Sequence, residues 1–223
     1  ERMNNMKQLL LPVFAAVTLL VACAETAQEA PQGSSTPNVQ TSVTDGYYVL
    51  NKVAPKVTWA AQKLTGDGHN GTLHIESGKF TVEGGQIAEG VVIFDMGRMA
   101  VSDLTGEEKE SLEGHLRSGD FFDVENHPKA ELNVNGVTEE NGSVQLNAAL
   151  TMNGATVEYT IPVDVKEVEV PGVIQGLDLK GKLRLDRTKH NITYHSNTFD
   201  DKLDWFIKDE VEVGFSVIGV PSK

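Results

Sequence analysis

The stretch HLRSGDFFDVENHP, residues 115–128, decides the fold of this chain. It joins two halves rich in alternating apolar residues, and it places Phe121 and Phe122 side by side between two aspartates. Burying one phenylalanine is worth roughly 1.5–3 kcal/mol. We therefore expect at least one ring to close the end of an apolar interior while the carboxylates stay at its rim. Because Pro128 disfavours helix at the residue before it, a strand should begin directly after it.

Outward from this stretch, apolar residues recur at every second position, as strands with one buried face require. The runs lie at residues 57–61, 73–75, 92–96, 132–134, 144–152, 157–165, 177–185 and 211–217. Alternation with one polar face favours an antiparallel sheet, and Asn153-Gly154 is a strong signal for a two-residue hairpin turn. Closing such a sheet removes its edges. The pattern predicts an all-β protein, an eight-stranded antiparallel β-barrel whose interior has room for one small ligand.

Residues 104–116 interrupt the strand pattern. Leu104, Leu112 and Leu116 stand among glutamates and a lysine at spacings of eight and four. This spacing predicts a short amphipathic helix, with Asp103 as its N-cap. We expect the helix to lie over one mouth of the barrel.

Four segments, taken in order, resemble the hallmarks of the YceI-like family. They are VIFDM at 92–96, the stretch at 115–128, ALTMNG at 149–154 and LDRTK at 185–189. The resemblance covers about residues 46–220 and implies a lipocalin-like barrel that holds a long isoprenoid or similar lipid and is not an enzyme. His190 stands where some members have an aromatic residue. If that position lines the mouth, the headgroup preference should differ.

The N-terminal segment resembles that of a bacterial lipoprotein. Lys7 precedes an apolar run at 9–22, which is shorter than the roughly 20 residues a spanning helix needs and is typical of a secretory signal. The run ends in LVAC, like a lipobox, and Cys23 is the only cysteine, so no intrachain disulfide forms. We expect residues 1–22 to be a signal peptide and Cys23 to be acylated; a signal peptide with ordinary cleavage is the alternative.

An acyl anchor would tether the protein to a membrane that it does not span. Residues 23–45 contain no aromatic residue and predict a flexible linker, so the barrel domain should occupy 46–223. By analogy with enterobacterial sorting, Ala24 favours the periplasmic face of the outer membrane. Residues 1–22 carry +1 of the net charge of −13, so the rest carries −14. An acidic surface repels nucleic acid and anionic headgroups, so we expect no nucleic-acid partner.

Catalytic and metal sites are not indicated. The six histidines form no helical metal-binding pair and there is no Cys-x-x-Cys. Two carboxylate groupings, Asp120 with Asp123 and Asp200 and Asp201 with Asp204, raise the alternative of a hydrolase. Nothing in the sequence positions a nucleophile or an oxyanion donor beside them. We expect no metal, no cofactor and no enzymatic activity.

The functional hypothesis rests on the barrel interior, whose apolar lining suits a dry lipid tail. The candidates for the lumen are Trp59, Ala61, Phe94, Met96, Phe121, Phe122, Leu146, Ala148, Met152, Tyr159 and Phe215. Small inward residues, namely Ala61, Ala148 and Gly181, should leave volume that a packed core would fill. The expected partner is an isoprenoid or another long-chain lipid, for a carrier, a store or a sensor. A ligand-free structural or stress-related envelope protein is the alternative, and the sequence leaves a homodimer open.

Overall fold

The computed structural model describes residues 43–51, 55–199 and 206–222, with the side chains of residues 173 and 174 left out. The predicted signal peptide, Cys23 and nearly all of the predicted linker lie outside these residues. The described strands are β1 (Gly46–Leu50), β2 (Lys56–Gln62), β3 (Gly68–Glu83), β4 (Gln86–Val101), β5 (Lys129–Glu140), β6 (Ser143–Met152), β7 (Ala155–Val170), β8 (Val173–Asp186) and β9 (Glu210–Pro221). Helix α1 (Gly106–Arg117) follows β4, and a 3₁₀ turn (Arg187–His190) follows β8.

The strands close into an antiparallel barrel. Strands β1 and β2 both pair with β3 and β9, one after the other along the same wall, so together they occupy a single strand position. The remaining strands follow in the order β9, β8, β7, β6, β5 and β4, and the pairing of β4 with β3 completes the ring. The predicted eight-stranded barrel is confirmed, with a ninth strand explained by the interruption between β1 and β2.

The two ends of the barrel differ. At the helix end lie α1, the 3₁₀ turn and the β6–β7 turn, where Asn153 and Gly154 have φ values of 48° and 76°. Two consecutive positive φ values are those of the hairpin turn that the sequence predicts. At the opposite end, the far end, lie the turns that join β3 to β4, β5 to β6 and β7 to β8.

The packed domain begins before the predicted boundary at Gly46. Val43 is buried in the core, and Thr44 donates from its backbone N–H to Glu167 Oε1 at 3.2 Å. The Asp45 carboxylate accepts from the backbone N–H groups of the Gly84-Gly85 turn. Contacts of the barrel therefore start at least three residues earlier than the polar composition of the linker indicates.

Helix α1 forms where the leucine spacing predicts it, but the predicted N-cap is wrong. Thr105 is the N-cap and its side chain makes no capping hydrogen bond. Gly106 has a φ of +59°, so helical backbone begins only after it and beyond the reach of Asp103. The Asp103 carboxylate instead accepts from the Asn70 backbone N–H at 3.3 Å and contacts His69 Nδ1 at 3.1 Å.

Candidate functional site

The barrel interior contains an apolar cavity whose empty volume of about 1590 Å³ includes space that is open to solvent. Only apolar atoms are exposed on its walls, although two charged residues, Lys79 and Arg187, are among those that line it. Such a space holds an apolar chain well and a polar solute poorly, because a polar group buried without a partner costs several kcal/mol.

The walls of the cavity differ in how tightly they are packed. Inward-facing residues of β9, β2, β3 and β4, such as Val213, Trp59, Ile75 and Phe94, line the cavity and remain partly exposed. On β6, β7 and β8 the inward residues are mostly buried. The empty volume is therefore bounded by a loosely covered wall on one side and a well-packed wall on the other.

The far end of the barrel is packed more tightly than the helix end. Several of its inward residues are buried in the core and do not line the cavity, namely Val43, Tyr48, Val82, Val165 and Leu177, whereas Ile87, the partner of Val82 on β4, is buried and lines it. At the helix end, by contrast, Leu116, Phe122, Ile192 and Ile207 all line the cavity. The barrel thus has a hollow half beside α1 and a packed half beyond it.

Nine of the eleven lumen candidates line the cavity: Trp59, Ala61, Phe94, Met96, Phe121, Phe122, Leu146, Met152 and Phe215. Ala148 and Tyr159 do not. Ala148 has no exposed surface and is paired between Val134 and Tyr159, so its small size serves packing between strands. Whether the nine residues contact a ligand stays a prediction.

Gly181 does not leave the free volume that the sequence indicates, because an aromatic ring occupies it. A Cβ atom at Gly181 would collide with the ring of Phe215, its direct partner on β9. Trp59 lies in the same way over Gly71 on β3, and its buried indole Nε1 has no hydrogen-bond partner among the described residues. Rings that lie over glycines therefore shape this side of the cavity.

The stretch at 115–128 closes the helix end as predicted. Phe121 is buried and Phe122 half-buried, and both line the cavity. The Phe121 ring packs edge-on against His115 and tilted against Tyr194, with centroids 5.0 and 5.1 Å apart. Strand β5 begins at Lys129, directly after the proline.

One side chain ties the loops of this end together. Asn153 Nδ2 donates to the backbone carbonyls of Phe121 at 3.2 Å and of His190 at 3.1 Å. The Asn153 carbonyl in turn accepts from Asn191 Nδ2 at 3.1 Å. The β6–β7 turn therefore holds both the phenylalanine stretch and the 3₁₀ turn in place.

Arg187 of the LDRTK segment is a buried structural cation. Only 3% of it is exposed, and its guanidinium donates at 2.8–3.1 Å to four backbone carbonyls, those of Ile192, Tyr194, Ile207 and Lys208. Nη2 also lies 3.3 Å from Asp209 Oδ1. Burial lowers the pKa of Arg187 and the charge of Asp209 opposes that shift. Four of its five N–H groups donate to backbone carbonyls, and the fifth belongs to the guanidinium beside Asp209, whose Oδ1 accepts no hydrogen bond from the described residues.

Asp186 forms no ion pair with Arg187. Its carboxylate instead accepts from Thr188 N at 3.0 Å and from Thr188 Oγ1 at 2.6 Å at the end of β8. The LDRTK segment therefore ends a strand and fixes the loop that follows. Sequence reasoning missed the role of Arg187, because its acceptors are backbone carbonyls that leave no signal in the residue types.

His190 does not line the mouth, so the condition for a changed headgroup preference is not met. It has no exposed surface, contacts Tyr159 Oη through Nε2 at 3.0 Å and contacts the Ala155 carbonyl through Nδ1 at 3.3 Å. Burial lowers the pKa of His190 and raises that of Tyr159 to about 12. A neutral imidazole with Nδ1 as donor and Nε2 as acceptor satisfies both contacts.

The carboxylates of the hydrolase alternative are engaged locally or lie outside the described residues. Asp120 is exposed and contacts His115 Nε2 at 3.0 Å. Asp123 accepts from Asn126 Nδ2 at 2.9 and 3.0 Å. Asp200, Asp201 and Asp204 fall in the segment that the structure leaves undescribed.

Within the described parts of the chain, no three His, Cys, Asp or Glu side chains cluster as a metal site would require. Among the same residues, α1 and the 3₁₀ turn are too short or too polar to be membrane-spanning helices.

A closed eight-stranded barrel with an inserted helix and an apolar cavity is a lipocalin-like architecture. The family model of the YceI-like domain matches residues 48–218, and the chain belongs to this family. A comparison with curated proteins finds no match.

Solved structures with the same fold include a polyisoprenoid binding domain from Saccharophagus degradans, implicated in plant cell wall breakdown. It is 13% identical, has a TM-score of 0.58, and is matched over 80% of this chain and 100% of that one. BcnA from Burkholderia cenocepacia is 16% identical with a TM-score of 0.55, over 74% of this chain and 95% of that one. At these identities the likeness concerns the fold.

Proposed function

We propose that this protein binds a long-chain apolar lipid, an isoprenoid, in the barrel interior and acts without catalysis at the cell envelope as a carrier, store or sensor. The observation that carries the proposal is the apolar cavity of the hollow half. Membership of the YceI-like family and the fold shared with a polyisoprenoid binding domain support it.

The polar groups beside the cavity also favour binding over chemistry. Arg187 and His190 are buried and bound to backbone or to Tyr159. Asp120 and Asp123 contact neighbouring side chains at the rim. No described nucleophile stands beside a free base in the apolar lining, which an acyl-transfer or hydrolytic mechanism would require.

The proposal is tested by purifying the protein from its own membrane, recording native mass spectra and extracting what co-purifies with solvent. A bound isoprenoid, with saturable displacement of a fluorescent lipid probe and no product, is the expected result. A protein that co-purifies with no lipid and displaces no probe would refute the proposal. Product formation that is lost in Asp204→Asn would favour the hydrolase alternative.

We further propose that Cys23 is acylated and tethers the barrel to a membrane, at the periplasmic face of the outer membrane. The motif LVAC after a short apolar run supports this, and two or three acyl chains give stable attachment. Cys23→Ser should move the protein from the detergent phase of a membrane extract to the aqueous phase. Retention of the variant in the detergent phase would contradict the tether.

A further inference from the structure

We infer that Phe80 sets the length of the lipid tail that the cavity accepts; this inference rests on the proposed function. Phe80 is 6% exposed and lines the cavity from β3. Its other side stacks on Tyr48, with ring centroids 5.2 Å apart and planes 2° from parallel. Tyr48 and the next inward residue of β3, Val82, are buried and do not line the cavity. Along β3 the empty space therefore ends at the Phe80 ring, and beside it on β4 the floor of the cavity is completed by the buried Ile87.

Two glycines make room for this ring. A Cβ atom at Gly219 of β9 would collide with the Phe80 ring, and one at Gly90 of β4 would collide with its Cβ atom. The ring thus fills space that two neighbouring strands leave empty. Because glycine has no side chain to move into a void, truncation of Phe80 should open this space to the cavity.

The orientation of the ligand follows from the two halves of the barrel. Tyr48 and Val82 fill the interior behind Phe80, while the cavity reaches Phe122 and Ile207 at the helix end. A tail therefore points its terminus towards Phe80 and leaves its polar head at the helix end. Phe80→Ala removes a six-carbon ring, the space of about one five-carbon isoprene unit.

The test measures dissociation constants of the full chain for isoprenoid alcohols that lengthen by one isoprene unit at a time, by displacement of a fluorescent fatty-acid probe. Each added isoprene unit that becomes buried should lower the Kd at least about tenfold, until the tail reaches the greatest length that the cavity accepts, the length limit. Beyond the limit, the Kd should stop falling. Phe80→Ala should move the limit by about one unit, so that the first alcohol too long for the parent gains about tenfold.

Phe215→Ala is the matched control, because this ring also lies over a glycine, Gly181, but in the side wall. It should change the Kd by a similar factor at every length and leave the limit in place. Phe80→Leu replaces Phe80→Ala if the latter does not fold, and should shift the limit in the same direction by less.

An unmoved limit in the folded Phe80 variant would overturn the inference, and so would an equal shift in Phe215→Ala. If the parent protein binds none of the alcohols, the proposed function fails and the inference with it. Binding with an unmoved limit refutes the inference alone.

Discussion

Replacing Arg187 with lysine should destabilise the barrel strongly although it keeps the charge. A lysine ammonium has three donors, so at least two of the five guanidinium contacts are lost. A hydrogen bond contributes about 0.5–1.5 kcal/mol net, and a buried acceptor left unpaired costs about 1–3 kcal/mol. With Arg187 only 3% exposed, little water can replace the lost donors. We expect a loss of about 2–4 kcal/mol in the free energy of unfolding.

Arg184→Lys is the control, since Arg184 lies three residues earlier, on β8, but its side chain is 70% exposed and pairs with Glu210 at 3.6 Å. Exposed ion pairs are worth about 0–1 kcal/mol, so this change should stay within about 0.5 kcal/mol of the parent. Urea denaturation followed by circular dichroism gives both values, provided that the m-values agree. A loss of 2–4 kcal/mol corresponds to a fall in Tm of roughly 4–16 °C for a domain of this size.

Equal stability of Arg187→Lys and Arg184→Lys would refute the structural role of Arg187. A lower affinity for lipid in Arg187→Lys with unchanged stability would show that the guanidinium serves the ligand instead.

Three further substitutions test the cavity, the loops that close its helix end, and the buried histidine. Ala61→Leu should fill lumen volume and weaken lipid uptake several-fold with little change in Tm; a clear fall in Tm with unchanged uptake contradicts a cavity. Asn153→Gly keeps the positive φ of the β6–β7 turn but loses two hydrogen bonds, worth about 1–3 kcal/mol together. The dissociation rate of a bound lipid probe should therefore increase. Asn141→Gly, the control in a far-end turn, should leave that dissociation rate unchanged. The pKa of His190 is lowered in the folded state, so the unfolded chain binds a proton at a higher pH than the folded chain does. The free energy of unfolding should therefore decrease as the pH falls below about 6.5. A His190→Asn variant whose free energy of unfolding has the same pH dependence as the parent between pH 7.5 and 5.5 would contradict this.

The barrel was predictable because its signals are local. Period-two alternation marks each strand, and Asn153-Gly154 marks a turn whose two residues need positive φ. The prediction of Asp103 as N-cap was wrong because the positive φ of Gly106 makes the helical backbone begin later in the chain. The sequence shows that residue 106 is a glycine but does not show its backbone angle.

The shape of the cavity was less predictable, because it depends on which residues face one another across strands. Ala61 and Ala148 have the same inward phase, yet only Ala61 lines the cavity. Gly181 is filled by Phe215, a partner 34 positions away whose register the sequence does not specify. Arg187 was obscure for the same reason, since its acceptors are backbone carbonyls that carry no signature in the residue types.

The unequal packing of the barrel explains how one small domain can be stable and still hold an empty space. Unfilled volume lowers stability in proportion to its size, and here it does not reach Tyr48, Val82 or Leu177. The packed half, with Tyr48, Val82 and Leu177 each at most 2% exposed, provides a core that does not depend on a ligand. A tail that enters the hollow half restores the missing contacts along β9, β2, β3 and β4. Binding energy and the stability of that wall should therefore rise together, while the packed half stays as it is without the lipid.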